Sequence, residues 1–181
     1  MAYYNTEPEV INDCPPKVGV LLANLGTPEA PTARALRPYL QKFLMDRRVV
    51  EIPRFIWCWI LHFIILVIRP RKSAEKYASI WKEEGSPLMV YAQQQKALFE
   101  AKLMQHLPAQ CAVELGMSYG EPSIKRAIES LKTQHCDRIL VFPLYPQYAA
   151  SSTASAFYAV WRVLLKTRSV PPIRTLKYYH D

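Results

Sequence analysis

A short apolar segment, residues 18–23, runs without a charge into the turn Gly26-Thr27-Pro28. Such a segment fits a β-strand that is buried on both faces, as in a parallel sheet covered by helices. Thr27 can cap the next helix and Pro28 suits its first position, because the N–H that proline lacks would be unpaired there. Ligands bind at the carboxyl ends of strands in open parallel sheets, so residues 25–27 are a candidate site. An ordinary strand-to-helix turn without a ligand explains these residues equally well.

Positive charge is concentrated in one part of the chain. The 181 residues carry a formal net charge of +8, and residues 34–76 hold ten basic and three acidic residues, which accounts for +7. This asymmetry predicts an anionic partner for one region and not for the whole surface. The cysteines are scattered, without a Cys-x-x-Cys pair, so we expect reduced thiols, with Cys111 and Cys136 on buried faces. No Walker loop or G-x-G pattern occurs, and we expect no nucleotide or nucleic-acid partner.

The segment 55–68 is apolar and uncharged, and basic residues flank it at Arg54 and at 69–72. As a helix it would span about 21 Å, which is short of the roughly 30 Å hydrocarbon core of a bilayer. A transmembrane helix is therefore not predicted. The arginines beside Trp57 and Trp59 favour an exposed or ligand-facing apolar surface, and a buried core helix is the alternative.

Strands and helices alternate along the chain, which predicts βαβ units and a parallel sheet. The predicted fold class is α/β, with a small parallel four-stranded sheet flanked by helices. After the first strand, we expect strands at 111–117, 139–144 and 173–178. The exits of the first three strands should converge at one edge of the sheet, at 24–27, 118–120 and 145–148.

The sequence also predicts helices between and beside these strands, including the following. A helix is expected over 31–43, and a separate amphipathic helix from Ser73 to Trp81. Before the last strand, one apolar stripe is predicted to face the core, formed by Phe157, Val160, Trp161, Leu164 and Leu165.

Four runs of residues together resemble the ferrochelatase family, namely LLANLGTPEAP (21–31), YASIWKEEGSPLMVY (77–91), GMSYGEPS (116–123) and FPLYPQY with SST after it (142–153). The match is colinear from about residue 17 onwards and is nearest to the bacterial form. The resemblance implies insertion of ferrous iron into protoporphyrin IX by two α/β lobes with the porphyrin in the cleft between them. We expect residues 17–181 to be the first lobe, residues 1–16 a loose extension, and the second lobe to be missing from the sequence.

The resemblance implies roles for four residues. Leu25 would form part of the pocket wall facing the macrocycle, and Tyr77 would lie alongside the ring. Arg69 and Ser86 would hold propionates, since a guanidinium pairs with a carboxylate in a fork and a hydroxyl adds a donor. Other interpretations remain for three of them: Arg69 as a helix-end charge, Ser86 as an N-cap before Pro87, and Tyr77 as a core aromatic.

The resemblance also implies a lip, residues 52–70, that shapes the cleft mouth and meets a membrane holding the porphyrin, with the basic flanks favouring an anionic leaflet. It implies a cytoplasmic protein, peripheral to the inner membrane. Iron would be a substrate, with no resident cofactor. Ala149 and Ala150 occupy the stretch where one cluster cysteine falls in the animal proteins, so we expect no iron–sulfur cluster.

One departure from the family concerns the chemistry. The family's metal-handling histidine, in a His-Gly-Ile/Leu-Pro segment, and its acidic partner have no counterpart in these residues. We therefore expect half of a porphyrin site, no metal site and no catalytic residue, and little or no catalysis. The alternatives are an inactive porphyrin-binding fragment, a half-enzyme completed by a separate second lobe or a second copy, or a product that folds poorly alone. The histidines are weak substitutes: His62, His106, His135 and His180.

Overall fold

The computed structural model describes Tyr4 and residues 15–107 and 110–180. Apart from Tyr4 and residues 15–16, the predicted extension lies outside the described residues. The chain divides into two compact units. Unit 1 contains the described parts of Met1–Leu25, Ala92–Ser118 and Pro122–Asp181, and unit 2 contains Gly26–Tyr91 and Tyr119–Glu121.

The described helices are α1 (Ala33–Leu44), α2 (Arg54–Ile60), α3 (Leu66–Ile80), α4 (Pro87–His106), α5 (Ile124–Thr133) and α6 (Ser155–Leu164). Short π-helical turns precede α3 at Leu61–Ile65 and α6 at Ala150–Ala154. The strands are β1 (Val18–Asn24), β2 (Cys111–Met117), β3 (Arg138–Pro143) and β4 (Ile173–Thr175). No helix in the described part of the chain is both long and apolar enough to cross a bilayer.

Unit 1 is built on a four-stranded sheet in the order β2-β1-β3-β4, in which every pairing is parallel. Val18 pairs with Cys111 on one side and with Arg138 on the other, so β1 is central. This confirms the predicted α/β class. β4 has three residues and is shorter than the predicted 173–178.

The core of unit 1 lies between the sheet and two helices. Leu21 and Val141 of the sheet pack with Leu131 of α5 and Val160 of α6, and all four side chains are buried. A Cβ on Gly19 would lie 3.1 Å from Leu131, so this helix packs closely on β1. Cys111 and Cys136 are buried as predicted.

The predicted apolar stripe on α6 is only partly right. Val160 and Leu164 are buried, whereas Trp161 and Leu165 are 44% and 70% exposed. Phe157 is partly buried and packs against the core cluster, so the cluster covers one face of α6 and leaves the side chains of Trp161 and Leu165 largely in solvent.

The start of α1 differs from the prediction. Its N-cap is Thr32, whose Oγ1 accepts a hydrogen bond from the Ala35 N–H at 3.3 Å. The expected cap, Thr27, is buried and bonds elsewhere. A threonine five residues earlier has the same capping chemistry, so the sequence alone did not discriminate between them.

In unit 2, α2, the first π-helical turn and α3 form one helical run over 54–80. The separate helix expected from Ser73 is therefore the second half of α3, which continues through Pro70. Much of the apolar surface of this run is exposed, led by Phe55 (73%), Trp59 (68%) and Phe63 (66%). Of the two interpretations of this segment, the exposed surface is correct.

Candidate functional site

The exits of three strands meet at one edge of the sheet, as predicted. In unit 1, the Ser118 N–H donates to the Asn24 carbonyl at 2.9 Å, and the Leu144 N–H donates to the Ala23 carbonyl at 2.8 Å. Leu25 follows β1 here and is half-buried, and its N–H donates to Asn24 Oδ1 at 2.8 Å. The backbone of this predicted pocket residue is thus held by the strand that precedes it.

In unit 2, two buried hydroxyls hold the Gly-Thr-Pro turn. Thr27 Oγ1 donates to Ser86 Oγ at 2.8 Å, and the two residues are 6% and 4% exposed. The Tyr39 hydroxyl donates to the Gly26 carbonyl at 3.2 Å. Gly120 has φ +111°, and a Cβ there would lie 2.9 Å from the Thr27 carbonyl oxygen. Each contact restricts the turn, so Ser86 acts first as a support for the backbone at the end of the first strand.

A cavity of about 480 Å³ lies in unit 2 beside this turn. Thr27 and Gly120 line one part of it, and Arg34, Tyr39 and Lys42 line another. The two cations come from α1 and belong to the basic region of the sequence. The sequence placed Gly120 at a predicted strand exit and Arg34 and Lys42 in the basic region, but none of the three was predicted to have a role in a site.

The other two predicted site residues lie on α3. Arg69 is exposed, and no hydrogen bond or ion pair of its guanidinium is found among the described residues. Tyr77 is half-buried, and its ring meets that of Trp81 edge-on, with centroids 6.3 Å apart. Eight residues of helix separate Arg69 from Tyr77, which is about 12 Å along the axis. No described hydrogen bond or ring contact joins either of them to Ser86.

A second fixed contact in unit 2 was missed by the sequence analysis. The Tyr119 hydroxyl donates to Asp46 Oδ2 at 2.5 Å, and the Phe43 ring packs edge-on against Tyr119 at 5.3 Å. Asp46 Oδ1 also accepts from the Arg48 N–H at 2.8 Å. Tyr119 adjoins Gly120, so this carboxylate restrains the segment that carries the glycine.

His62 is already used within the protein. Its Nδ1 is 2.9 Å from the Cys58 carbonyl, which can only accept, so we assign the proton to Nδ1. Nε2 then accepts from Gln41 Nε2 at 3.1 Å. In the part of the chain that the structure describes, no group of three or more His, Cys, Asp or Glu residues is arranged to hold a metal ion.

Comparison with known proteins gives a consistent result. The family model described as Ferrochelatase matches residues 17–181. The whole chain is 58% identical to 53% of the ferrochelatase of Methylobacillus flagellatus and 51% identical to 50% of that of Chromobacterium violaceum. The ferrochelatase of Nitrosomonas europaea is 53% identical over 165 residues, which are 91% of this chain and 45% of that protein. The chain spans about half the length of the curated relatives it matches, and the resemblance seen in the sequence is confirmed.

Proposed function

The chain belongs to the ferrochelatase family, and from this we propose that its residues form the first, porphyrin-contacting lobe of an enzyme that inserts ferrous iron into protoporphyrin IX in haem synthesis. Iron is then a substrate, and no resident cofactor or iron–sulfur cluster takes part. These residues correspond to about half of the length of the curated relatives, and the other half of such an enzyme is proposed to form the second lobe.

The unpaired charge of Arg69 is the observation that carries this proposal. A porphyrin is a large flat apolar ligand with two propionates, and it needs cations that are free to meet carboxylates. Arg69 is exposed on α3, with no acid bound to it among the described residues. A guanidinium binds a carboxylate through two parallel hydrogen bonds, which fixes the orientation of the ligand as well as its charge.

The four site residues then have distinct tasks. Arg69 binds a propionate, Tyr77 lies alongside the macrocycle and Leu25 forms apolar wall. Ser86 contributes a donor, since its Oγ accepts from Thr27 and keeps its own hydrogen for a second partner. Metal entry requires the ring to bend. Strain of this kind costs roughly 1–5 kcal/mol, which the binding energy at the edges of the ring would offset.

Metal insertion also requires the loss of two pyrrole protons. General-base catalysis typically contributes about 10²–10⁴-fold. Among the residues that the structure describes, we assign no side chain to the role of this base. These residues are therefore expected to bind and orient porphyrin, with the base provided by the second lobe. A binding fragment without turnover of its own is the alternative to a half-enzyme.

The lip, residues 52–70, is proposed to dock on a membrane that holds the porphyrin. Exposure of Phe55, Trp59 and Phe63 supports this, because aromatic side chains favour the interface of a bilayer. Arg54 lies near the start of the lip and Arg71 directly follows its end, and both would meet anionic headgroups. The proposed location is the cytoplasm, with peripheral attachment to the inner membrane.

Titration of the full chain with protoporphyrin IX, followed by porphyrin fluorescence, tests the porphyrin site. Arg69→Ala should weaken binding roughly tenfold and lessen its dependence on salt. Arg71→Ala is the matched control, since it removes an arginine that is also exposed and lies two residues away on α3. Equal affinities for wild type and Arg69→Ala would remove Arg69 from the propionate role.

Zinc insertion into the bound porphyrin separates the two forms of the proposal. Turnover above the protein-free rate would show that these residues contain a base, which contradicts the assignment of the base to a second lobe. Bound porphyrin that stays metal-free would support a lobe that orients the substrate.

A further inference from the structure

Unit 1 has a cavity that the porphyrin proposal does not use. It has a volume of about 450 Å³ and lies where the start of α5 approaches the end of α6. Its apolar wall is formed by Ile124, Ala159, Val163 and Leu165. Its volume falls within the range of small-molecule sites, which are mostly apolar with a few polar groups.

Three cations line the same cavity, and its lining contains no acidic residue. They are Lys125 of α5, Arg162 of α6 and Lys166 just beyond α6. Lys125 has an acidic neighbour, Glu129, at 3.7 Å on the exposed side of α5. For Arg162 and Lys166, no ion pair is found among the described residues.

The spacing of Arg162 and Lys166 adds to this imbalance. Arg162 lies in the last turn of α6 and Lys166 just beyond its end, so two like charges line the same cavity and repel each other. A bound anion between them would turn the repulsion into two favourable interactions. Ser118, also in the lining, has a buried hydroxyl oxygen without a hydrogen-bond partner among the described residues. Such a group gains from an acceptor, which an anion supplies.

We propose that this cavity binds a small amphipathic anion, with an apolar body against Val163 and Leu165 and one carboxylate or phosphate held by Arg162 and Lys166. A purely ionic ligand would leave the apolar wall without a partner, and a neutral ligand would leave the cations without one. This inference does not depend on the porphyrin site.

Calorimetric titration of the full chain with octanoate tests the proposal, with acetate and octanol as partial probes. Octanoate should bind once per chain and at least tenfold more tightly than acetate or octanol. Acetate lacks the apolar chain, and octanol lacks the negative charge. If acetate bound as tightly as octanoate, the proposed apolar contact would be wrong. If octanol bound as tightly, the proposed role of the cations would be wrong.

Two variants connect the binding to this cavity. Arg162→Gln and Lys166→Gln should each weaken octanoate binding about tenfold, as expected for loss of a charged hydrogen bond. Lys102→Gln, which removes an exposed lysine of α4 that does not line the cavity, should leave binding unchanged. Unchanged binding by the first two variants, with thermal unfolding confirming that they are folded, would place octanoate elsewhere and overturn the site.

The anion could be free or part of a lipid, and a soluble short-chain lipid discriminates between them. Dihexanoyl phosphatidylglycerol, used as monomers, should bind more tightly than octanoate if the cavity takes a lipid headgroup. Weaker binding than octanoate would identify a free carboxylate as the ligand. The Arg162→Gln variant should lower the affinity for both octanoate and the lipid.

Discussion

Arg37 on α1 donates from Nε to the backbone carbonyl of Leu66, 3.1 Å away at the start of α3. In a regular helix that carbonyl would accept from the N–H four residues later, but that residue is Pro70, which has none. A side chain from another helix thus supplies the donor that proline lacks. This contact accounts for the continuation of α3 through Pro70 towards Arg69 and Tyr77.

Removing this donor should destabilise the protein only while the proline is present. Arg37→Met keeps the apolar stem and should cost about 1–2 kcal/mol, since it leaves a half-buried carbonyl unpaired. In a Pro70→Ala background the helix supplies its own N–H, and the cost should fall close to zero. Urea unfolding of the four proteins measures this cycle. Costs that are equal in both backgrounds would contradict the pairing, and Arg34→Met is the control for an exposed arginine of α1.

Gly120 and Gly85 offer a matched pair near the turn of unit 2. Both have positive φ, but a Cβ at Gly120 would lie 2.9 Å from the Thr27 carbonyl oxygen, whereas a Cβ at Gly85 meets nothing within 4 Å. Gly85→Ala should cost only the backbone strain of about 1–2 kcal/mol. Gly120→Ala adds a clash with backbone and should be clearly more destabilising in thermal unfolding. Equal losses would show that the Gly120 segment moves freely away from the turn.

Glu114 on β2 should make stability depend on pH. Burial disfavours its charged form, but hydrogen bonds from Ser130 (2.7 Å), Lys96 (2.9 Å) and Gln134 (2.9 Å) outweigh this and lower its pKa. A lowered pKa in the folded state means that the stabilisation is complete above the ordinary glutamate value of about 4.3. It is lost as the pH falls through the lower folded-state pKa.

Glu114→Gln should therefore lower the melting temperature at pH 7 and have a progressively smaller effect as the pH falls below about 4. Glu100→Gln, on α4, is the control for loss of one negative charge. An effect of Glu114→Gln that does not change with pH would mean that packing, and not the charge, stabilises the native state.

Two tryptophans of the lip separate membrane contact from packing. Trp59 is exposed and stacks on Phe63, with centroids 4.8 Å apart, whereas Trp57 Nε1 donates to the Leu44 carbonyl at 2.7 Å. Trp59→Ser should reduce co-sedimentation with phosphatidylglycerol vesicles roughly tenfold and leave stability almost unchanged. Trp57→Ser should lower stability. Vesicle binding that is unaffected by Trp59→Ser would argue against the lip as the docking surface.

Much of unit 1 could be predicted because its signals are local. Apolar runs that end at turns identified β1, β2 and β3, and helical periodicity between them implied parallel pairing. The convergence of the strand exits followed from that topology. The family resemblance, carried by short runs of residues, was confirmed over residues 17–181.

Other features depended on which hydrogen-bond partner the fold brings close from a distant part of the chain. Thr27 and Thr32 can both cap a helix, and only the position of Ser86 assigned Thr27 to a different partner. Pro70 predicts a break in a helix, and only Arg37, from a distant part of the chain, supplies the replacement donor.

The sequence by itself therefore determined the class of the fold, the family and the concentration of positive charge, because periodicity, motif and composition are properties of neighbouring residues. The tertiary structure decided which apolar surfaces are covered. Leu164, at the end of α6, is buried and the next residue, Leu165, is 70% exposed, since periodicity indicates which faces are apolar but not which of them meets another element.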